Sequence, residues 1–469
     1  METRPSAYIA GRWRSGVDSV DVHDSVDGSV IASVGMSGAD DVDDAVRAAR
    51  AAFAGWSATS VEERLAMLSA LADGLSERAG DIAVSSAREV GSILAFGERV
   101  QAGLPVAVLR TTIEAMRSVG EERIGNSRVR GLPIGVVAAI TPWNYPLYQV
   151  VAKLAPALAA GCTAVIKPPQ QAPLTAYILV EELERAGVPA GVVNVVQGRG
   201  SVVGEALSSH PDVDFVSFTG STGAGATIAQ NAARNVTKVA LELGGKSATI
   251  VTEDADLDLV IPAAVNGYLV NNGQTCAAMT RLVVPRRLLG EIEDRLVAAT
   301  AERVVGDPRQ SDTSVGPMVS AAQCRSVLDY IRDGMNSSRL LLGGTDRPAE
   351  LTGGHFVMPT IFSEVDPDAR IAQEEIFGPV LVIHAVEGED EAVAVANNSQ
   401  YGLSGSVWTS DPEHGARLAR RMRTGQVAVN GGAFNPAAPF GGFKQSGYGR
   451  ELGRYGINEY LEPQSVQMP

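Results

Sequence analysis

Between Pro133 and Gly245 the chain repeats one pattern: a short apolar run, then a longer stretch of helical periodicity. The runs Val136–Ile140, Ala164–Lys167, Val192–Val196, Phe215–Phe218 and Val239–Leu241 read as strands, with helices at about 147–160, 172–186, 201–208 and 222–233. Strands that are apolar throughout and separated by helices predict a parallel sheet covered on both faces. Ligands of such sheets sit at the carboxyl ends of the strands, so the loops after Ile140, Lys167, Phe218 and Leu241 are where chemistry is expected.

A second alternating block runs from Gly245 to about 430. It holds apolar runs at Ala248–Val251, Arg281–Pro285 and Pro379–Ile383, and a helix from about Leu289 to Arg303. Asp307-Pro308 and Gly343-Gly344 mark turns within it. Before the first block, residues 6–32 read as short strands and turns. Asp40, Asp41, Asp43 and Asp44 then open a helix, where acids suit the positive end of its dipole better than they suggest a cation site. Ser60-Val61-Glu62-Glu63 is a capping box for the next helix, through about Leu75, and Leu109 to Arg128 is amphipathic, then extended.

A chain of 469 residues exceeds one core, so two or three domains are expected. With 45% hydrophobic and 20% charged residues and no bilayer-length apolar run, the composition is that of a globular protein with no membrane partner. Met1-Glu2-Thr3-Arg4-Pro5 does not open a secretory signal. A net charge of −15 argues against nucleic acid. Cys162, Cys276 and Cys324 form no CxxC pair and the five histidines lie far from them in sequence, which predicts a reducing cytoplasm and no metal site.

Cys276 follows Asn271-Asn272-Gly273-Gln274-Thr275, a polar bend at a loop-to-element junction. By itself it reads more readily as a small buried hydrophobe than as a nucleophile, whose ionisation backbone amides at a helix start would assist. Glu242 ends an apolar run before Gly244-Gly245-Lys246; it is a base for a thioester-hydrolysing water or a partner for Lys238 or Lys246. Asn144, between Pro142 and Pro146, is a turn former or a donor to an oxyanion. Lys167-Pro168-Pro169-Gln170 ends one strand. Phe218-Thr219-Gly220-Ser221 ends another and opens a helix, a place for pyrophosphate although GxGxxG is absent.

Thr141–Pro146, Lys167, Phe218–Ser221, Glu242–Lys246, Gly273–Cys276, Glu375–Pro379 and Pro439–Gly442, in that order, resemble the signature set of the aldehyde dehydrogenase superfamily over nearly the whole chain. The resemblance implies an α/β fold: a Rossmann-like dinucleotide-binding domain (1–114 and 134–244), an α/β catalytic domain (245–445) and a small β oligomerisation extension (115–133 and 446–469). It makes Cys276 the nucleophile, Glu242 the general base, Asn144 an oxyanion donor with the Cys276 N–H, and Lys153 and Glu451 a proton relay. Ile140, Thr141, Pro142, Trp143, Lys167, Gln170, Gly220, Ser221, Leu243, Gly244, Glu375 and Phe377 would bind NAD, while Tyr145, Tyr148, Gln149, Ala152, Thr275 and Phe440 would surround the aldehyde.

At Gln170 the chain departs from the glutamate usual in NAD-preferring relatives, so NAD is expected to work and NADP to be tolerated. The absence of an arginine at Ala152 points to an uncharged, medium-sized aliphatic or aromatic aldehyde, and the presence of Glu242 to hydrolytic release of the acid. The expected assembly is a dimer or a dimer of dimers. A cysteine-dependent hydrolase or acyltransferase, or a non-catalytic binding protein on the same scaffold, are the competing readings. Neither accounts for the strand-end loops together with an intact cysteine and glutamate.

Overall fold

The computed structural model describes residues 2–16, 18–351 and 353–469; Met1, Val17 and Thr352 lie outside it, and with Met1 the first position of the N-terminal reading. Among the described residues, two large sheets form the body of the molecule. In the first, Lys238–Glu242, Phe215–Thr219, Val136–Ile140, Thr163–Lys167 and Val193–Val196 run parallel in that order. The antiparallel strands Ala7–Ile9 and Arg12–Arg14 extend one edge, and Gly447–Tyr448 the other. Each expected strand of this region is present to within a residue.

The helix Pro146–Ala160 explains why these strands carry no polar alternation. Pro146 starts it where a missing N–H costs nothing, Gly161 at φ 94° ends it, and every residue between is buried beneath the sheet. Ser60 closes the expected capping box: its Oγ accepts from the Glu63 N–H at 3.2 Å, and the Glu63 carboxylate accepts from the Ser60 N–H at 2.9 Å. The acids at 40–44 are a helix start, with Asp44 paired to Arg14 and Arg47. Among the described residues no group of His, Cys, Asp or Glu is arranged to hold a metal ion.

In the second sheet Thr360–Ser363, Val380–Val386, Met279–Pro285, Ser247–Val251, Ser404–Trp408 and Gln426–Val429 are parallel, with Arg339–Leu342 antiparallel at one edge. The helix expected at 201–208 begins as a wide π turn, Gly200–Gly204, and the amphipathic stretch from Leu109 is helical only as far as Met116, in a helix that begins at Gly103. Beyond it, Glu122–Ile124 and Ser127–Pro133 join the tail strand Leu461–Gln467 in a separate antiparallel sheet. No helix among the described residues is long and apolar enough to cross a membrane.

Candidate active site

The loop carrying Cys276 is built from strained backbone. Asn271, Asn272 and Gly273 have φ of 50°, 61° and 76°, a left-handed run that two asparagines and a glycine tolerate. Side-chain amides hold it there. Asn272 Nδ2 donates to the Gly91 and Pro317 carbonyls at 2.8 and 3.1 Å, and its Oδ1 accepts from the Gly316 N–H at 2.7 Å. Gln274 Nε2 donates to the Val90 carbonyl, and its Oε1 accepts from the Val319 N–H. A Cβ at position 273 would lie 2.2 Å from the Gly378 carbonyl, so glycine is required where this loop crosses the 375–379 loop.

Cys276 itself sits in a turn entering strand Met279–Pro285, not at a helix start, which corrects one expectation. The Ala277 N–H still favours its thiolate. Burial, then the nearby Glu375 and Glu242 carboxylates, win over it and push the thiol up to about 12. The thiol therefore keeps its proton until a base removes it.

Glu242, the last residue of strand Lys238–Glu242, is buried, and its Oε2 has no hydrogen-bond partner among the described residues. Burial, reinforced by Glu451 and opposed by Lys153 and Arg450, holds its carboxyl well above the ordinary range. It forms neither of the ion pairs open to it in sequence. Lys238 faces Glu459 and Glu462, and the Lys246 ammonium is buried with no hydrogen-bond partner among the described residues, pushed down to about 7 by burial and Arg281. Lys153, fully buried, forms an ion pair with Glu451 and donates to Thr219 Oγ1 at 2.6 Å. Asn144 Nδ2 donates one proton to the Gln274 carbonyl at 3.0 Å and has a second to offer.

Two cavities meet at this cysteine. One, of about 240 Å³, is lined by Pro142, Trp143, Gly220, Ser221, Leu243, Gly244, Glu375 and Phe377 together with Asn144, Gln149 and Cys276. Trp143 and Phe377 stand edge to face there, centroids 5.3 Å apart, and Glu375 Oε1 accepts from the Gly245 N–H at 3.0 Å. Ile140, Thr141, Lys167 and Gln170 lie outside its wall. Lys167 is buried at its strand end, where it donates to the Pro168 carbonyl at 2.9 Å and is pushed down to about 8 by burial.

The second cavity, of about 470 Å³, is lined by Tyr145, Tyr148, Gln149, Thr275 and Phe440 around Cys276. Tyr145 Oη and Thr275 Oγ1 are hydrogen-bonded at 2.7 Å. Ala152 is not part of this wall: it faces the packed core from within its helix. The missing wall comes from residues that sequence reasoning passed over, Phe96, Arg99, Val100, Leu104 and Ala107. Gln323, in the first cavity, was passed over as well. No local pattern marks them, since only the fold carries 96–107 to the cysteine.

Residues 13–466 match the aldehyde dehydrogenase family. The 3-succinoylsemialdehyde-pyridine dehydrogenase of a Pseudomonas species is 44% identical over 98% of this chain and 97% of its own, and the geranial dehydrogenase of Castellaniella defragrans 44% identical over 88% and 87%. The crystal structure of aldehyde dehydrogenase C from Pseudomonas syringae, complexed with NAD+ and octanal, superposes with a TM-score of 0.97 at 42% identity, covering 99% of this chain and 96% of that one. The chain belongs to the aldehyde dehydrogenase family, and its activity is the NAD-linked oxidation of an aldehyde to the carboxylic acid.

Proposed function

We propose that the reaction runs through a covalent intermediate on Cys276, with Glu242 as general base and Asn144 as oxyanion donor, on uncharged medium-sized aldehydes. The observation that carries this reading is that a smaller cavity with a more polar wall and a larger, mostly apolar one share Cys276 and Gln149 as common wall. Hydride donor and acceptor sites must adjoin in this way, with the nucleophile between them.

The smaller cavity fits a dinucleotide. A carboxylate already anchored to a backbone N–H lies beside two aromatic rings, and Ser221 caps the helix Thr222–Ala233 at the same wall. Trp143 and Phe377 would flank the nicotinamide, Glu375 its ribose, Gly220 and Ser221 the pyrophosphate, and Lys167 and Gln170 the adenosine ribose. Backbone from Ile140 to Pro142 and at Leu243 and Gly244 would complete the cleft. Bound there, NAD supplies the acceptor for the aldehyde's hydride.

The chain's own residues do the remainder. Glu242, whose raised proton affinity suits a base, removes the thiol proton, and the sulfur adds to the carbonyl carbon. The oxygen becomes an oxyanion facing the free Asn144 amide N–H and the Cys276 N–H. Once oxidised, the adduct is a thioester. Relieved of that first proton, Glu242 takes one from water, the water oxygen bonds to the acyl carbon, the C–S bond breaks, and the leaving sulfur regains a proton from Glu242 as the acid departs. Lys153 and Glu451, buried beside Glu242, would carry the accumulated proton away.

Tyrosine and phenylalanine rings dominate the aldehyde cleft, and Arg99 is the one Lys, Arg, Asp or Glu in its wall. That supports aliphatic or aromatic substrates, as do octanal and geranial in the names of similar proteins. No histidine lines either cavity, which leaves a histidine-dependent cysteine hydrolase without its base. Gln170 bonds a ribose hydroxyl without repelling a 2′-phosphate, so NADP is accepted alongside NAD. The three-stranded sheet ending at Leu461–Gln467 leaves an exposed edge, which supports pairing with a second copy into a dimer and a dimer of dimers. Three free cysteines support a reducing, cytoplasmic setting.

Cys276→Ser tests the assignment: NADH formation from hexanal should disappear, and full NAD-linked turnover by that variant would overturn it. A panel in which succinic semialdehyde outperforms hexanal and benzaldehyde would overturn the substrate class.

A further inference from the structure

One buried polar ring has no part in the scheme above. Gln101 Nε2 donates to the Asn144 carbonyl at 3.0 Å and to Ser92 Oγ at 3.0 Å. Ser92 Oγ passes its proton to Asn271 Oδ1 at 2.6 Å, and Asn271 Nδ2 returns to the Asn144 carbonyl at 3.0 Å. The directions are chemically determined. A carbonyl only accepts, so both amides must present nitrogen to Asn144, and Ser92, its single proton spent on Asn271, must accept from Gln101. All four side chains are buried, so water does not compete for these bonds.

Local backbone is bent to make the ring possible. Gln101 lies in a π-helical stretch, Gly97–Ala102, a widened turn that is uncommon in proteins and concentrated at functional sites. The widening turns Arg99 and Val100 toward the aldehyde cleft while Gln101, on the same stretch, reaches the Asn144 backbone. At the other side of the ring, Asn271 is one of the left-handed residues that shape the Cys276 loop.

We propose that Gln101 is a positioning residue for the oxyanion donor. With Ser92 and Asn271 it clamps the Asn144 carbonyl from two sides, so that the Asn144 side-chain amide stays aimed at the oxygen that becomes charged. This rests on Asn144 being that donor. Without Gln101, the Asn144 carbonyl keeps only Asn271, and Ser92 loses the donor that orients it.

The test is kcat/KM for hexanal in the parent, Gln101→Met, Asn144→Ala and the double variant. Asn144→Ala should cost about a hundredfold or more, and Gln101→Met roughly tenfold with the KM for NAD within about twofold. Added to Asn144→Ala, Gln101→Met should cost less than about twofold, because its target is already gone. Alkylation of Cys276 by iodoacetamide, which needs the thiol and no oxyanion donor, should keep its rate in Gln101→Met. Additive losses in the double variant, alkylation slowing in step with turnover, or an unchanged kcat/KM in Gln101→Met would each overturn the proposal. If Asn144→Ala leaves kcat/KM unchanged, the underlying assignment of the donor fails and the proposal falls with it. Should Gln101→Met not fold, Ser92→Ala breaks the same ring at its smallest member. It should cost about threefold with the same non-additivity, and additivity there overturns the proposal equally.

Discussion

The two large sheets both have parallel centres, yet they serve the site from opposite ends. The first presents the loops that leave its strands: Asn144 follows Val136–Ile140, Gln170 follows Thr163–Lys167, Gly220 follows Phe215–Thr219, and Lys167 and Glu242 end their own strands. The second presents the loops that enter its strands: Cys276 precedes Met279–Pro285, and Glu375 and Phe377 precede Val380–Val386. The carboxyl-end rule for open parallel sheets thus holds for the cofactor half only. At the carboxyl ends of the second sheet there is a separate cleft, lined by Glu253, Asp254, Glu387, Glu389 and His414, with none of the proposed reacting groups in it. Facing the exit loops of one sheet with the entry loops of another puts Leu243 and Gly244, next to Glu242, and Cys276 in the wall of one cavity.

The contrast can be tested by perturbing each end in turn. Glu242→Gln, at an exit loop of the first sheet, should lower steady-state turnover by about a hundredfold or more. Rapid-quench measurement should show the first equivalent of NADH per site forming more slowly as well, because Glu242 also takes the thiol proton; a burst at the parent rate would mean another base serves the thiol. In the parent, kcat should rise with pH along a limb above the usual carboxylate value of about 4.3, since a base whose pKa is raised is protonated and idle below it. Glu242→Gln should flatten that limb.

Gly245→Ala probes the seam between the sheets. Its Cβ would stand 2.5 Å from the Cys276 carbonyl, and the shift of about 1 Å that relieves the clash should cost up to about a hundredfold in kcat/KM. An unchanged value would show the loop to be compliant. Gln170→Glu should sharpen the NAD over NADP ratio of kcat/KM by about tenfold, a difference of one ribose contact; no change would remove Gln170 from the cofactor site.

Asp254→Asn, at the carboxyl end of the second sheet, should leave kcat/KM within about twofold. Its effect belongs to stability. Ser410, Thr252 and Thr409 donate to this carboxylate and hold its pKa below the ordinary range. The stabilisation is therefore present above about pH 4 and lost as pH falls through the lower folded value. Thermal melts should show the variant less stable at neutral pH, with the gap closing in acid; a kinetic defect instead would place chemistry in that cleft.

Much of this organisation was legible along the chain. Apolar strand runs of the first sheet appear nearly residue for residue, because a strand buried on both faces must be apolar at every position. The tail strand Leu461–Gln467 was legible only in part: its partner Ser127–Pro133 lies over three hundred residues away, and its own side chains are exposed beyond Leu461. Resemblance alone points to Ala152 as part of the aldehyde wall, and the structure turns it to the core. The helix Pro146–Ala160 is buried all round, so no amphipathic stripe shows which of its residues face a cavity and which face the core.

The chain by itself determined the parallel sheet, the strand-end loops, and the kinds of group available: one thiol in a polar bend, one carboxylate before two glycines, one asparagine between prolines. These follow from local periodicity and residue chemistry, which neighbours in sequence decide. Only the tertiary structure decided which end of each sheet faces the site, that Glu242 loses both lysines as partners, and that Ser92, Gln101 and Asn271 close a ring on the Asn144 backbone. Burial and hydrogen-bond direction depend on residues far apart in sequence, and so does the proton affinity of every group at the centre.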